Sequence, residues 1–182
     1  MERAYTFFMG NLATPEALIL RWQEMIRDPS LEDLPYKIEL NAWGKIEMSP
    51  ASNRHGRLQA LLSAEFSRRL PDGIAISECS ILTRIGIRVP DVAWGSAEFM
   101  KAYGEITPYG RAPEICVEII SPSNVQAEIE EKTAAYLAAG AKEVWLVSEE
   151  GTIRYFDSSG EKPKSAFPVA ITLPAPIKAS RV

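Results

Sequence analysis

Apolar residues recur at helical spacing at Leu18, Trp22, Met25 and Ile26, which predicts an amphipathic helix. Thr14 followed by Pro15 supplies its cap and a proline at the first helical position, and Asp28-Pro29 stops the run. Over residues 36–48, Ile38, Leu40, Trp43 and Ile46 surround Asn41 and Gly44, a pattern that suits two short strands joined by a turn. From 56 to 70, Leu58, Leu61, Leu62, Phe66 and Leu70 form one face, and Pro71-Asp72-Gly73 ends it. This is a second amphipathic helix.

Three strands are predicted next: 74–79, then 84–89 extending through 91–94, then 114–120, each rich in Val, Ile or aromatic residues. Ser123 with Gln126 three residues on forms a capping box, and a helix runs from there toward Gly140, which suits the left-handed position beyond a helix end. Val144-Trp145-Leu146-Val147 reads as a short apolar strand. Strand, helix and strand within about thirty residues form a crossover unit, so 114–120 and 144–147 are expected as parallel neighbours joined right-handedly. The tail, 152–156 and 167–173 separated by Ser158-Ser159-Gly160, reads as a hairpin packed on the sheet edge. The central order is helix, three strands, helix, strand, and the expected class is α/β, an α+β arrangement on a mixed sheet.

A chain of 182 residues closes one sizeable core, so one domain is expected over 1–182. Its core spans about 36–148, with an N-terminal helical extension over 1–35 and the C-terminal hairpin over 149–182. The apolar stretches fall short of the about 18 residues needed to cross a bilayer. Glu2 and Arg3 are not followed by a secretory-type apolar core. A cytoplasmic protein without membrane contact is therefore expected. The net charge of −4 argues against coating nucleic acid by bulk electrostatics. It leaves room for a metal-dependent enzyme, where the cation itself faces phosphate. Cys79 and Cys116 have no CxxC spacing and only His55 as a histidine partner, which excludes a zinc cage by ligand count. Buried free thiols are expected.

Candidate chemistry begins with two acids. Asp91 follows Pro90 at a strand end, and Glu118 sits inside the apolar run Ile115-Cys116-Val117-Glu118-Ile119-Ile120. A buried carboxylate costs several kcal/mol unless a cation or hydrogen bond compensates. Alternation puts Cys116, Glu118 and Ile120 on one face, so Glu118 meets Asp91 only if the two strands adjoin in matching phase. Two such carboxylates with a backbone carbonyl and water suit an octahedral hard cation, Mg²⁺ or Mn²⁺.

Asp91 after proline, then Glu118 27 residues later on an adjoining strand, resembles the PD-(D/E)xK nuclease superfamily. Where that superfamily has lysine two residues after the glutamate, this chain has Ile120. The middle of the chain is similar to the Uma-two family of restriction-endonuclease-like proteins. The residues that carry this likeness are Gly44-Lys45-Ile46-Glu47-Met48-Ser49-Pro50 with His55 after it, Arg88-Val89-Pro90-Asp91-Val92-Ala93-Trp94, Val117-Glu118-Ile119-Ile120-Ser121-Pro122-Ser123, and Lys132 with Tyr136, Gly140 and 144–147. The strand lysine is absent in that family too, so the resemblance implies that Lys132 reaches the site from the following helix. It implies a restriction-endonuclease-like core and an Mg²⁺-dependent endodeoxyribonuclease, with Asp91, Glu118 and the Ile119 carbonyl as metal ligands. Lys132 would orient water or offset transition-state charge, DNA would be the partner, and a homodimer would cut both strands. Lys132 and Tyr136, four apart, share a helical face, which lets the lysine stem reach the sheet end.

Plainer readings stand beside these. Asp91 alone suits a turn, and Lys132, four after Glu128, suits a solvated pair of about 0.2–0.5 kcal/mol. His55 is a general base, a phosphate contact or a surface side chain, the last being its default. Tyr136 and Glu78 are further site candidates; Glu39, Glu47 and Glu65 are possible extra carboxylates that no spacing selects. Arg54, Arg57, Arg68 and Arg69 suit phosphate contacts or a solvated basic face equally. Trp43, Trp94 and Trp145 read as core or rim aromatics. The main rival function is a catalytically weak or inactive nuclease-fold binding or assembly module. A metal-dependent phosphatase or nucleotide hydrolase is a third, without any GxxxxGK[ST] phosphate loop to support it.

Overall fold

The structure, a computed structural model, describes residues 12–32, 34–122 and 124–177. Helix α1 (Pro15–Met25) starts where its cap predicts: the Thr14 hydroxyl accepts from the Ala17 amide at 3.3 Å. It buries Leu18, Trp22 and Met25, whereas Ile26, expected on the same face, is 53% exposed just past the helix. A 3-10 turn at Pro29–Leu31 leads into the hairpin of β1 (Tyr36–Asn41) and β2 (Ile46–Pro50). Asn41 closes that hairpin by accepting from the Trp43 and Lys45 amides, and Gly44 supplies the positive φ of 72°.

Helix α2 (Asn53–Arg69) is capped by Ser52, whose hydroxyl accepts from the His55 amide. Leu58, Leu62, Phe66 and Leu70 bury its apolar face, as the spacing predicts, while Leu61 is only partly buried. This face packs on Val92, Ile115, Val117, Trp145 and Val147, the main core.

Residues 84–94 depart from the predicted single strand. After β3 (Gly73–Ser77), β4 (Ile81–Thr83) and β5 (Gly86–Arg88) form a tight hairpin, and β5 pairs with β1. The chain then crosses to another sheet as β6 (Val92–Ser96), which pairs with β3. Pro90 stands at the switch; it has no N–H to continue a ladder. A short helix absent from the predicted pattern, α3 (Ala97–Tyr103), follows with Ser96 as its cap.

Strand β7 (Ile115–Ile120) pairs antiparallel with β6 and parallel with β8 (Glu143–Ser148), with α4 (Gln126–Ala138) between β7 and β8. The expected crossover unit is present. The capping box is not: Val125 occupies the N-cap with no side-chain bond, and Ser123 lies outside the described residues. In the tail, β9 (Ile153–Asp157) and β10 (Gly160–Lys162) make the hairpin. Residues 167–173 are not its second strand, because Pro168 interrupts any ladder there. Instead Phe167 packs edge-on against Trp94, and Val169 and Leu173 are buried in the main core.

One sheet runs β2-β1-β5-β4 and the other β10-β9-β8-β7-β6-β3. The mixed α/β class holds, and α2, β3, β6, β7, α4, β8 reproduce helix, three strands, helix, strand, with the β4–β5 hairpin and α3 inserted. Along β7, Ile115, Val117 and Ile119 join the α2 side, while Cys116 and Ile120 join the side of Tyr136 and Ile129 on α4. Cys79 and Cys116 are buried and free. Among the described residues no helix is long and apolar enough to cross a membrane.

Candidate functional site

The site forms where the two sheets approach each other. On β1, Ile38 and Leu40 pack against Leu18, Trp22 and Met25. Alternation therefore turns Lys37 and Glu39 to the opposite face, toward β7 and α4. Asp91 arrives from the segment that links the sheets, Glu118 from mid-β7, and Lys132 and Tyr136 from α4.

Asp91 is 1% exposed and has every oxygen engaged. Its Oδ2 accepts from the Ile119 amide at 2.7 Å; its Oδ1 accepts from Lys37 Nζ at 2.7 Å and lies 3.2 Å from His55 Nε2. Glu118, 8% exposed, accepts from the Tyr136 hydroxyl at 2.7 Å through Oε1 and from Lys37 Nζ at 3.2 Å through Oε2. One ammonium thus bridges both acids. Lys132 Nζ lies 2.8 Å from Glu39 Oε2 and 3.7 Å from Glu118 Oε1. Glu39 in turn accepts from the Val89 amide at 2.8 Å and pairs with Arg88, which also holds Glu47.

Three buried carboxylates, Glu39, Asp91 and Glu118, are thereby matched by Lys37, Arg88 and Lys132. Such pairing is what keeps buried charge affordable. Burial alone would raise the Asp91 pKa, yet the His55 hydrogen bond and the Lys37 charge outweigh it and hold the carboxyl at about 2. For Lys37, burial works against the charge, and Glu118, Asp91 and Glu39 overcome it and raise its pKa. The hydrogen bond to Asp91 raises His55 against the opposing effect of burial. Burial first, and then the Glu118 charge, push the Tyr136 hydroxyl well up, so it stays a donor.

Asp91, Glu118, Ile119, Lys132, Tyr136 and His55 are brought together. The default surface reading of His55 is corrected, since its ring is within reach of Asp91. Glu78 lies at the edge: its carboxylate accepts from Gln59 at 3.3 Å, and its amide approaches the Asp91 carbonyl. Arg54 does not offer itself to phosphate; it donates to the Glu149 and Pro174 carbonyls and ties the tail to α2. Arg68 and Arg69 pair with Glu65 on the surface. Trp94 and Trp145 are core residues, and Trp43 is exposed. Lys37 is the residue sequence reasoning missed.

The donor set fits a hard divalent cation. Asp91 Oδ1 and Glu118 Oε2 both face one positive charge, the Lys37 ammonium. The Ile119 amide points to Asp91, and within a strand the carbonyl of the same residue shares that edge. Among the described residues no three His, Cys, Asp or Glu side chains form a ready-made cage. One or two carboxylates with water suffice for Mg²⁺.

The sequence profile of the Uma2 family, described as "Putative restriction endonuclease", matches residues 22–173. No curated protein matches. Among solved structures, the chain is similar to "a putative nuclease belonging to DUF820 from Anabaena variabilis ATCC 29413", with 20% identity and a TM-score of 0.60. That alignment covers 75% of this chain and 86% of the other, and shows a shared fold.

Proposed function

Since the chain belongs to the Uma2 family, we propose that it is a nuclease that hydrolyses phosphodiester bonds of DNA at Asp91 and Glu118, with Mg²⁺ or Mn²⁺ as cofactor. The observation that carries this is the convergence of two buried carboxylates on one cation position, held by Lys37.

Asp91, Glu118 and the Ile119 carbonyl would hold the metal. Such a cation, when bound, polarises phosphate and acidifies water beside it. The chain's own residues supply the geometry. The Ile119 amide fixes Asp91 Oδ2, the Tyr136 hydroxyl fixes Glu118 Oε1, and each acid keeps one oxygen directed at the shared position. His55 Nε2 steadies Asp91 Oδ1. Lys132, anchored by Glu39, places its ammonium where negative charge would gather on the phosphate oxygens as water attacks phosphorus. The resemblance to the PD-(D/E)xK superfamily implies that the P–O3′ bond breaks, leaving a 5′-phosphate and a 3′-hydroxyl. A two-fold pair of chains suits the cutting of both strands of a duplex.

Cleavage of plasmid and oligonucleotide DNA with Mg²⁺ tests this: wild type cuts, and Glu118→Ala does not. Equal cutting by both rejects the assignment. A second reading, a fold that binds or assembles without cutting, is favoured by the full neutralisation of the three buried acids by protein cations alone. Absence of Mg²⁺ and Mn²⁺ binding by calorimetry at millimolar metal selects it.

A further inference from the structure

A groove of about 460 Å³ opens between the end of α1, the Pro29–Leu31 turn and the start of β1. Its volume falls in the range of about 300–1,000 Å³ usual for small-molecule sites. Trp22, Leu31, Ile38 and Val89 give it an apolar wall, and Tyr36 lines it while remaining 45% exposed. Lys37 belongs both to this groove and to the site, because its ammonium touches both acids. The groove therefore borders the site along the Lys37 side chain.

A second observation points to a ligand. Trp22 is only 7% exposed, and its indole Nε1 is buried with no hydrogen-bond partner among the described residues. A buried N–H left unpaired is costly, and because Nε1 has no exposure of its own, a ligand acceptor relieves it only when the indole turns that edge into the groove. On the groove's border Glu78 holds φ at +54°, a strained conformation for a residue with a side chain, and presents an exposed carboxylate. Arg27 also lines the groove and supplies a cation.

We propose that this groove is a subsite for one unstacked nucleobase of the strand whose phosphate lies at Asp91 and Glu118. The flat apolar face of a base matches Tyr36 and the wall, an exocyclic amine donates to Glu78, and a ring nitrogen or carbonyl of the base edge accepts from Trp22 Nε1 once the indole turns toward it. Arg27 is placed for the next phosphate. A base paired and stacked in a duplex cannot enter; it must be single-stranded or turned out of the helix. The subsite thus rests on the hydrolytic reading above and favours binding of an unpaired nucleotide, whether single-stranded or flipped from a duplex.

The test uses the full chain carrying Glu118→Gln, which prevents turnover, with Mg²⁺ and fluorescein-labelled DNA of one sequence as a single strand and as a blunt duplex. Anisotropy is expected to show the single strand bound about tenfold more tightly, the scale of one base–aromatic stack. Trp22→Phe removes the N–H but keeps the ring, and Tyr36→Ala removes the exposed aromatic; each is expected to bring the ratio toward one. Tyr36→Ala, at an exposed position, keeps the result readable if Trp22→Phe disturbs the fold. Equal binding of the two forms, or a preference that survives both substitutions, overturns the subsite. If wild type nevertheless cuts DNA with Mg²⁺, the hydrolytic reading stands without it. If wild type neither cuts nor binds either form, both fall together.

Discussion

Lys132 Nζ lies 2.8 Å from Glu39 Oε2, so the cation of helix α4 is anchored on a strand of the other sheet. Glu39 is itself fixed by the Val89 amide and Arg88, which makes it a rigid post rather than a surface carboxylate. The same ammonium stands 3.7 Å from Glu118. Glu39 thereby sets how far Lys132 leans over the acids.

A double-mutant cycle measures this dependence. Lys132→Met and Glu39→Gln are each expected to lower kcat/KM for DNA cleavage, and their effects overlap because either one releases the same contact. The coupling is expected at about 0.5–3 kcal/mol, the range for residues in direct contact. Strictly additive effects would show that Lys132 acts without Glu39.

Lys37 is the protein's own counter-charge for Asp91 and Glu118. Lys37→Met keeps the stem but leaves the two acids without it, and is expected to lower stability in metal-free buffer by about 3–5 kcal/mol, as for breaking a buried ion pair. On the proposed metal reading the ammonium and a divalent ion compete for one position, so Mg²⁺ is expected to raise the melting temperature more in the variant than in wild type. Thermal melts with and without Mg²⁺ check this, and an equal metal effect on the two proteins counts against a shared position.

The Tyr136 hydroxyl donates to Glu118 from full burial. Tyr136→Phe removes one charge-assisted hydrogen bond, worth about 1.5–3 kcal/mol. Chemical denaturation is expected to show that loss with an unchanged denaturant slope. Cleavage is expected to fall mainly through kcat, since the buried hydroxyl acts through Glu118. A fall confined to KM would place Tyr136 in binding instead.

Burial pushes the Cys79 thiol up to about 12 and raises Cys116 as well. Both thiols are therefore expected to resist a disulfide-exchange reagent in the native protein at neutral and mildly alkaline pH, and to react fully in denaturant. Rapid reaction of one thiol in the native state would misplace β7 or the segment before β4.

How much of this was legible from the residues depended on whether the signal was local. Thr14-Pro15 marks the start of α1, the Leu58–Leu62–Phe66 spacing marks α2, and the misfit of Glu118 in an apolar strand marks it as special; each is decided by near neighbours. The alternation Lys37-Ile38-Glu39-Leu40 is different. Its polar half reads as the solvent side of an ordinary half-buried strand. That face is covered because the chain crosses at Pro90 from one sheet to the other, which brings Lys37 and Glu39 against Asp91, Glu118 and Lys132. The same crossing divides 84–94 between two sheets, where Val-rich and Ile-rich composition suggests one strand. His55 is likewise ambiguous in sequence, since only the packing of α2 against the β6 end brings it to Asp91.

The proposed chemistry requires Asp91 and Glu118 to hold one divalent cation between them. A crystal soaked in Mn²⁺ and measured for anomalous scattering tests it most directly. One strong peak is expected about 2.1 Å from a carboxylate oxygen of each acid, as for octahedral hard-cation sites, with the Lys37 ammonium moved off Asp91 and Glu118. A map with no peak between the two acids, and Lys37 still bridging them at saturating Mn²⁺, contradicts it.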